Sequence, residues 1–339
     1  MTKAATIYQV AQLAGVSHQT VSRVINQSAN IRPATRDRVL DAMAQLNYRP
    51  NRAARTLVTA KTRTLGVLVS NPGFFGPASM LNAMEAQARQ AGYFVVSTVV
   101  DAADQASVEA GVEHLKDLGI DGLVVIAQQE SVLAVAAPHF GAVPVVAVNG
   151  GPDVQTFSVQ IDNYAGAHLA TRHLIDLGHK RIFHVCGPSS WHEARARAAG
   201  YCDAMEAAGF EVLATVAGDW SAKAGHEVGS QLAAQLAANS GQFTAVFAAN
   251  DQLALGLLNA FVGAGIRVPE QVSLVGFDDQ PEAAYFSPGL TTVHQDFEAL
   301  GQRAMQLMVD ELSGQTTVEH QLVQPVLVVR QSTSAPVSQ

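Results

Sequence analysis

Five side chains near the N-terminus could make the hydrogen bonds that read nucleic acid. In the run H-Q-T-V-S-R-V-I-N, His18, Gln19, Ser22, Arg23 and Asn26 fall on one side at helical spacing, and Val21, Val24 and Ile25 fall on the other. Arginine pairs bidentately with guanine and glutamine with adenine, each pair contributing about 1–3 kcal/mol of discrimination. Gln19, Arg23 and His18 are therefore placed to read bases, and Thr20, Ser22 and Asn26 to hold phosphates. A second set lies far downstream. Arg197 in E-A-R-A-R-A-A-G can fork onto two adjacent hydroxyls, Asp278 can accept from two, and Asn250 can donate and accept at once. Trp220 in G-D-W-S-A and Phe297 in Q-D-F offer flat apolar faces for the C–H side of a sugar ring. Each also has a plainer role open to it: Arg197 as partner of a neighbouring acid, Trp220 as core, Asp278 and Asp279 as caps.

The first set needs a short helical unit to present it. Thr6 suits a helix cap, and Val10, Leu13 and Ala14 give the helix after it one apolar face. Gly15 ends that helix, because glycine takes a left-handed conformation without steric cost. Ser17 caps the second helix, which makes the pair a helix-turn-helix. Pro33 starts a third helix reaching about Leu46, with Val39, Leu40, Met43 and Leu46 as its stripe. Arg32 at its cap position makes a weak start. Asn47-Tyr48 closes the head, residues 1–49, and a linker follows over 50–62.

Charge divides the chain in the same place. Residues 1–61 hold nine basic and two acidic side chains, a net of +7, and the remainder holds 12 basic and 27 acidic, a net of −15. A basic head on an acidic body suits a protein that grips phosphates at one end. The chain has 339 residues, 48% of them hydrophobic, enough for two or three packed units. No run of about 18 apolar residues suggests a membrane span, and M-T-K-A-A-T-I-Y has no apolar signal core. Cys186 and Cys202 are too few for a disulfide framework or cysteine metal site, which fits a reducing cytoplasm. No cofactor fingerprint is present: H-E-x-x-H, Walker A, G-x-S-x-G and the dinucleotide pattern are all missing. His168, His173 and His179 have no regular helical spacing and are expected to be solvated.

From Thr64 onward, β-branched runs alternate with helical segments. Strands are expected at 65–70, 94–100, 123–128, 145–149, 158–162, 181–186, 245–249, 272–277 and 322–329. Helices are expected at 80–91, 108–118, 164–177, 194–208, 222–238 and 297–313. The fold class that follows is an all-α helix-turn-helix head and an α/β bilobed body, residues 63–331, built on two doubly wound parallel sheets. Ligands in such sheets bind beyond the carboxyl ends of the strands, where Ser70, Asn149, Asp162, Asn250 and Asp278 stand. The polar tail 332–339 is expected to be disordered, with no apolar heptads for a tetramerising helix. A dimer is expected, with Met80 and Met84 as interface candidates.

V-A-Q-L-A-G-V-S-H-Q-T-V-S-R-V-I-N resembles the signature of the lactose-repressor (LacI/GalR) family of bacterial transcription regulators. A-M-A-Q-L-N-Y-R-P-N-R, G-D-W-S-A, A-N-D-Q-L-A-L-G, V-G-F-D-D and L-T-T-V-H-Q-D-F resemble it too, in the same order across nearly the whole chain. The resemblance implies a periplasmic-binding-protein-like body whose chain crosses between lobes three times. It adds Tyr8, Thr35 and Asn51 to the DNA-contacting set. It makes 50–62 a hinge helix that pairs with its dimer mate on operator DNA. Leu57 would be the wedge in the minor groove, with Arg52 and Arg55 near phosphates or groove edges. It places Arg197, Trp220, Asn250, Asp278 and Phe297 at effector-contacting positions, with Ser70, Gln295 and Phe74 beside them. Three positions depart from the family pattern: Asn149 stands for an aspartate, Ile161 for an aromatic and His18 for a tyrosine.

The expected function is a sequence-specific, sugar-released repressor, with a galactoside as the leading effector, double-stranded operator DNA as partner, and no metal or cofactor. Its rivals are a regulator tightened by a co-repressor such as a purine, a plain sugar-binding protein, and a glycosidase using Asp278, Asp279 and Asp219.

Overall fold

The computed structural model describes residues 5–25, 28, 30–49, 61–126, 129–150, 157–213, 215–238, 242–315 and 320–337. The chain divides into two compact units, Met1–Thr62 and Arg63–Gln339. Asn26, Asn51, Arg52, Arg55 and Leu57, and with them most of the expected hinge, lie outside the described residues.

In the first unit, α1 spans Ile7–Ala14, α2 His18–Ile25 and α3 Pro33–Gln45. Thr6 and Gln9 form a reciprocal capping box at α1: the Thr6 backbone N–H donates to Gln9 Oε1 at 2.8 Å, and the Gln9 N–H to Thr6 Oγ1 at 3.4 Å. Gly15 closes α1 at φ 66°. At α2 the Thr20 N–H donates to Ser17 Oγ at 3.2 Å. The core of this unit is small: Val10, Ala11, Ala14, Val21, Val24, Val39 and Ala42. Leu13 and Leu40, expected inside, are 50% and 49% exposed. Three short helices enclose only a narrow seam, and the alanines beside those leucines fill it. With so little core, a cap matters. Ser17→Ala is expected to lower the stability of this unit by about 1 kcal/mol, read as a lower melting temperature by circular dichroism.

The second unit is two six-stranded sheets. The first, in the order β11-β5-β4-β3-β1-β2, is built from β1 Thr64–Val69, β2 Phe94–Val99, β3 Gly122–Ile126, β4 Val145–Val148, β5 Phe157–Ile161 and β11 His320–Val323. The second, β12-β10-β9-β8-β6-β7, takes β6 Ile182–Cys186, β7 Val216–Ala217, β8 Ala245–Ala248, β9 Ser273–Asp278, β10 Thr291–His294 and β12 Val326–Val328. Among the described residues, all pairings are parallel except β10 with β12. β1, β3, β8 and β9 are buried on both faces and so appear in the sequence as unbroken apolar runs. The chain crosses between sheets after β5, after β10 and after β11. The helices are α4 Phe75–Gln90, α5 Gln105–Asp117, α6 Glu130–Ala136, α7 Asn163–Asp176, α8 His192–Ala207, α9 Ala222–Ala238, α10 Asp251–Gly263 and α11 Phe297–Leu312. No described helix is long and apolar enough to cross a membrane.

Several expectations change here. The single strand expected at 322–329 is two, β11 and β12, in different sheets: Pro325 lacks the N–H that a continuing ladder needs. α10 carries no amphipathic stripe to announce it, because Leu253, Ala254, Leu257, Leu258, Ala260 and Phe261 are all buried around it. Met80 and Met84, expected at a dimer interface, are 1% and 0% exposed and pack with α11 residues Leu300, Ala304 and Met308. The residues expected to form a disordered tail are ordered through 337. The Leu274 N–H donates to the Ser332 carbonyl at 2.8 Å, and Ser332 Oγ donates to the Leu274 carbonyl at 2.6 Å. β10 pairs with β9 only from Val275 onward, so the tail supplies the bonds that the start of β9 lacks. His179, expected in solvent, is 1% exposed and bridges Thr244, Ser273 and the Ser334 carbonyl at 2.8, 3.1 and 2.9 Å.

Candidate functional site

On the first unit, α2 presents His18, Gln19 and Arg23 to solvent, with Thr20 and Ser22 half-buried beside them. Tyr8 on α1 is 67% exposed, and its ring lies 5.2 Å from that of His18. Thr35 is half-buried near the start of α3. Val21 and Val24 anchor the opposite face of α2 in the core, so the polar face is held outward.

In the second unit, a cavity of about 560 Å³ opens between the lobes at the carboxyl ends of the strands. Asn149 follows β4, Asn250 follows β8 and Asp278 ends β9. Asn149, Trp220 and Asp278 hold positive φ of 55°, 72° and 110°, conformations that cost of order 1–3 kcal/mol each in non-glycine residues and gather at functional sites. Phe74, Trp191 and Trp220 run edge to face along one wall, with ring centroids 5.9 and 5.5 Å apart. Phe297 closes the other side, edge-on to Phe75 at 5.7 Å.

Arg197 lies at the centre of the polar groups. Its Nε donates to Asn163 Oδ1 at 2.8 Å, its Nη1 donates to the Ala249 carbonyl, and the same Nη1 is 3.6 Å from Asp278 Oδ1. The guanidinium lies 3.9 Å from the centroid of Phe277 and 5.4 Å from that of Trp220. The fork that reads as free in sequence is thus partly committed to holding the lobe together. Asn250 is committed too: its Oδ1 accepts from the Leu253 N–H at 2.8 Å, capping α10, and its Nδ2 donates to the Trp220 carbonyl at 3.1 Å. Asp278 Oδ1 accepts from Gln295 Nε2 at 2.5 Å.

Of the ten residues expected here, Phe74, Asn149, Arg197, Trp220, Asn250, Asp278, Gln295 and Phe297 line this cavity. Two do not. Ser70 is buried at the end of β1 without reaching the cavity, and Asp162 accepts from the Ala165 N–H at 2.9 Å as the cap of α7. Both follow their strands as expected, but the open space lies elsewhere along the sheet edge. Trp191, Glu193 and Gln280 line the cavity and were not anticipated. The signal for Glu193 is its place four residues before Arg197, on the same face of one helix. Asp219 holds its own turn, accepting from the Ser221 N–H at 3.0 Å, and Asp279 pairs with Arg330 at 2.6 Å and His294 at 3.1 Å.

The carboxyls of the wall are displaced upward. Burial raises Asp278 to about 6 against the opposing pull of Arg197. Burial raises Glu193 to about 7, with its own backbone N–H, Arg197 and Asn149 acting the other way. Asp251, behind the wall, is raised well above the usual carboxylate range, first by burial and then by Asp278. A folded-state value above the unfolded one means that Glu193 favours the fold below about pH 4.5 and loses that contribution as pH rises through about 7. Glu193→Gln is therefore expected to raise thermal stability at pH 8, by at most about 3 kcal/mol, and to change it little at pH 4.5. A melt at pH 8 that fell below wild type would contradict that sign.

The family model "Bacterial regulatory proteins, lacI family" matches residues 6–51, and "Periplasmic binding protein-like domain" matches residues 171–333. The chain is 35% identical to the lactose operon repressor of Escherichia coli (strain K12), over 99% of this chain and 93% of that one. This chain belongs to the lacI family. A solved structure of the lac repressor dimer bound to operator and the anti-inducer ONPF superposes on this lacI-family protein with a TM-score of 0.88, at 34% identity, covering 98% of this chain and 100% of that one. The transcriptional repressor PurR of Haemophilus influenzae is 32% identical over 97% of this chain and 98% of its own length. A solved complex of the regulator CelR with cellobiose has a TM-score of 0.73 at 32% identity, covering 97% of this chain and 99% of that one. These relatives regulate transcription and are not enzymes. This lacI-family chain is a DNA-binding transcriptional repressor with a ligand-binding body.

Proposed function

We propose that this repressor binds a pseudo-palindromic operator as a homodimer in the cytoplasm and is released from it by a small sugar, with a galactoside as the leading effector. The observation that carries the effector reading is the cavity between the lobes, where planar amides and a buried Arg197–Asp278 pair face an aromatic wall. Stacked carbons on aromatic faces and paired hydrogen bonds to hydroxyls are the two needs of sugar recognition. Gln19, Arg23 and His18 read bases, and Thr20 and Ser22 hold phosphates. Exposed apolar side chains on β2 (Phe94 and Val99, 45% and 61% exposed) and Tyr285 (88%) offer surface for a second copy to cover. Sugar bound between the lobes would shift them within the dimer and remove the mutual support of paired linkers, coupling the two sites by about 1–3 kcal/mol in both directions.

The experiment is operator binding by fluorescence anisotropy, on a palindromic site selected from random DNA, with galactosides, glucosides and purines added in turn. The expected result is dimer-dependent binding that weakens about 5- to 150-fold with one sugar. Tighter binding with a purine would replace induction by co-repression, the alternative that likeness to PurR supports.

A further inference from the structure

The cavity wall holds an acid that the sugar reading does not use. Glu193, on the first turn of α8, is 5% exposed and faces the cavity. The Asn149 amide donates to its carboxyl, but its Oε2 is buried with no hydrogen-bond partner among the described residues. Arg197, whose charge acts on Glu193, is engaged by Asn163, the Ala249 carbonyl and Asp278. The other acids facing the space, Asp278 on β9 and Glu282 beyond it, add negative charge and no positive. Asp251 on α10, behind the wall, is already bonded to Thr292 and Gln280. Among the described residues, Glu193 is thus a buried carboxyl whose Oε2 has no hydrogen-bond partner and whose influential cation, Arg197, is shared with other groups. Another buried polar atom without a partner among the described residues, Trp220 Nε1, lies in the same wall. Buried charge is ordinarily paired, and an acid kept at a cost to stability in a cavity wall points to a ligand.

We propose that Glu193 selects the effector by taking a protonated amine on a sugar ring, held between its Oε2 and the aromatic wall of Phe74, Trp191 and Trp220, with a ligand oxygen accepting from Trp220 Nε1. The proposal rests on the sugar reading above and narrows it. A hydroxyl would satisfy the orphaned oxygen and leave the carboxyl free to take up a proton rather than stay ionised. An ammonium group satisfies both, and aromatic faces attract cations. A neutral purine offers N–H donors without the charge.

The test is titration calorimetry on the full chain at pH 7 with matched pairs: galactose against its 2-amino and 6-amino forms, and the same for glucose. At least one amino sugar is expected to bind about tenfold or more tightly than its parent, as a charge-assisted bond in place of a neutral one implies. In Glu193→Gln that advantage should fall below about twofold, whatever the affinity for the parent. Amine binding should also release protons, read as a heat that depends on the buffer, because the bound cation holds Glu193 ionised. Parents that bind as tightly as every amino sugar, or an amine preference that survives in Glu193→Gln, would overturn the role of Glu193 and leave the sugar reading standing. Binding of purines and of no sugar would overturn both.

Discussion

Replacing Arg197 by alanine should produce a repressor that still holds its operator and no longer releases it with sugar. Arg197 and Asp278 are 6% and 12% exposed at the side chain and form a buried pair. Removing the cation leaves Asp278 buried without a counter-charge, a loss typically of about 3–5 kcal/mol. It also frees Asn163 and the Ala249 carbonyl. Denaturant unfolding should show that loss, and anisotropy should show operator binding with the sugar response gone. Arg197→Lys keeps the charge and loses the planar fork, so it should unfold less easily than the alanine variant while responding weakly to sugar. Sugar release that persisted in both variants would remove Arg197 from the effector site.

The second large effect concerns a residue with no polar chemistry. Gly256 on α10 lies against α9, and a Cβ added there would overlap the Ala222 carbonyl oxygen and crowd the His226 nitrogen. Gly225 makes the reciprocal approach to the Leu253 carbonyl. In an open helix, glycine to alanine gains about 1 kcal/mol. Here the obstacle is backbone, which cannot rotate aside, so Gly256→Ala should instead lose about 3 kcal/mol or more. Gly263→Ala, near the end of the same helix with nothing within 4 Å, supplies the contrast and should be neutral or stabilising. Because Asn250 caps α10 and also holds the Trp220 loop, Gly256→Ala should also weaken effector binding. Thermal melts of the two variants side by side test the sign.

These two cases show where the sequence speaks and where it falls silent. The head is legible because its signals are local: a capping Thr6, glycine at a left-handed turn, and five polar side chains on one face of a single helix. The strands are legible because burial on both faces leaves unbroken β-branched runs. The strand pattern also places Asn250 and Asp278 at strand ends. Nothing local, however, distinguishes Asp278, which lines the cavity, from Asp162, which caps a helix. Both are aspartates after a strand. Which strand end opens into free space depends on how the two lobes stand over one another.

The sequence by itself determined the helix-turn-helix, the alternation of strands and helices, the basic head on an acidic body, and the family. These follow from period, capping and composition, which act over a few residues. Only the tertiary structure decided that Glu193 and Trp191 share the cavity with Arg197, that Met80 and Met84 are core, and that the tail completes the second sheet. It alone showed that Asn250 and Arg197 spend hydrogen bonds on the protein itself. The reason is that burial and partnering belong to pairs of residues distant in the chain, such as Ser332 with Leu274 or Arg197 with Ala249. No periodicity records such pairs, and they exist only once the lobes are packed.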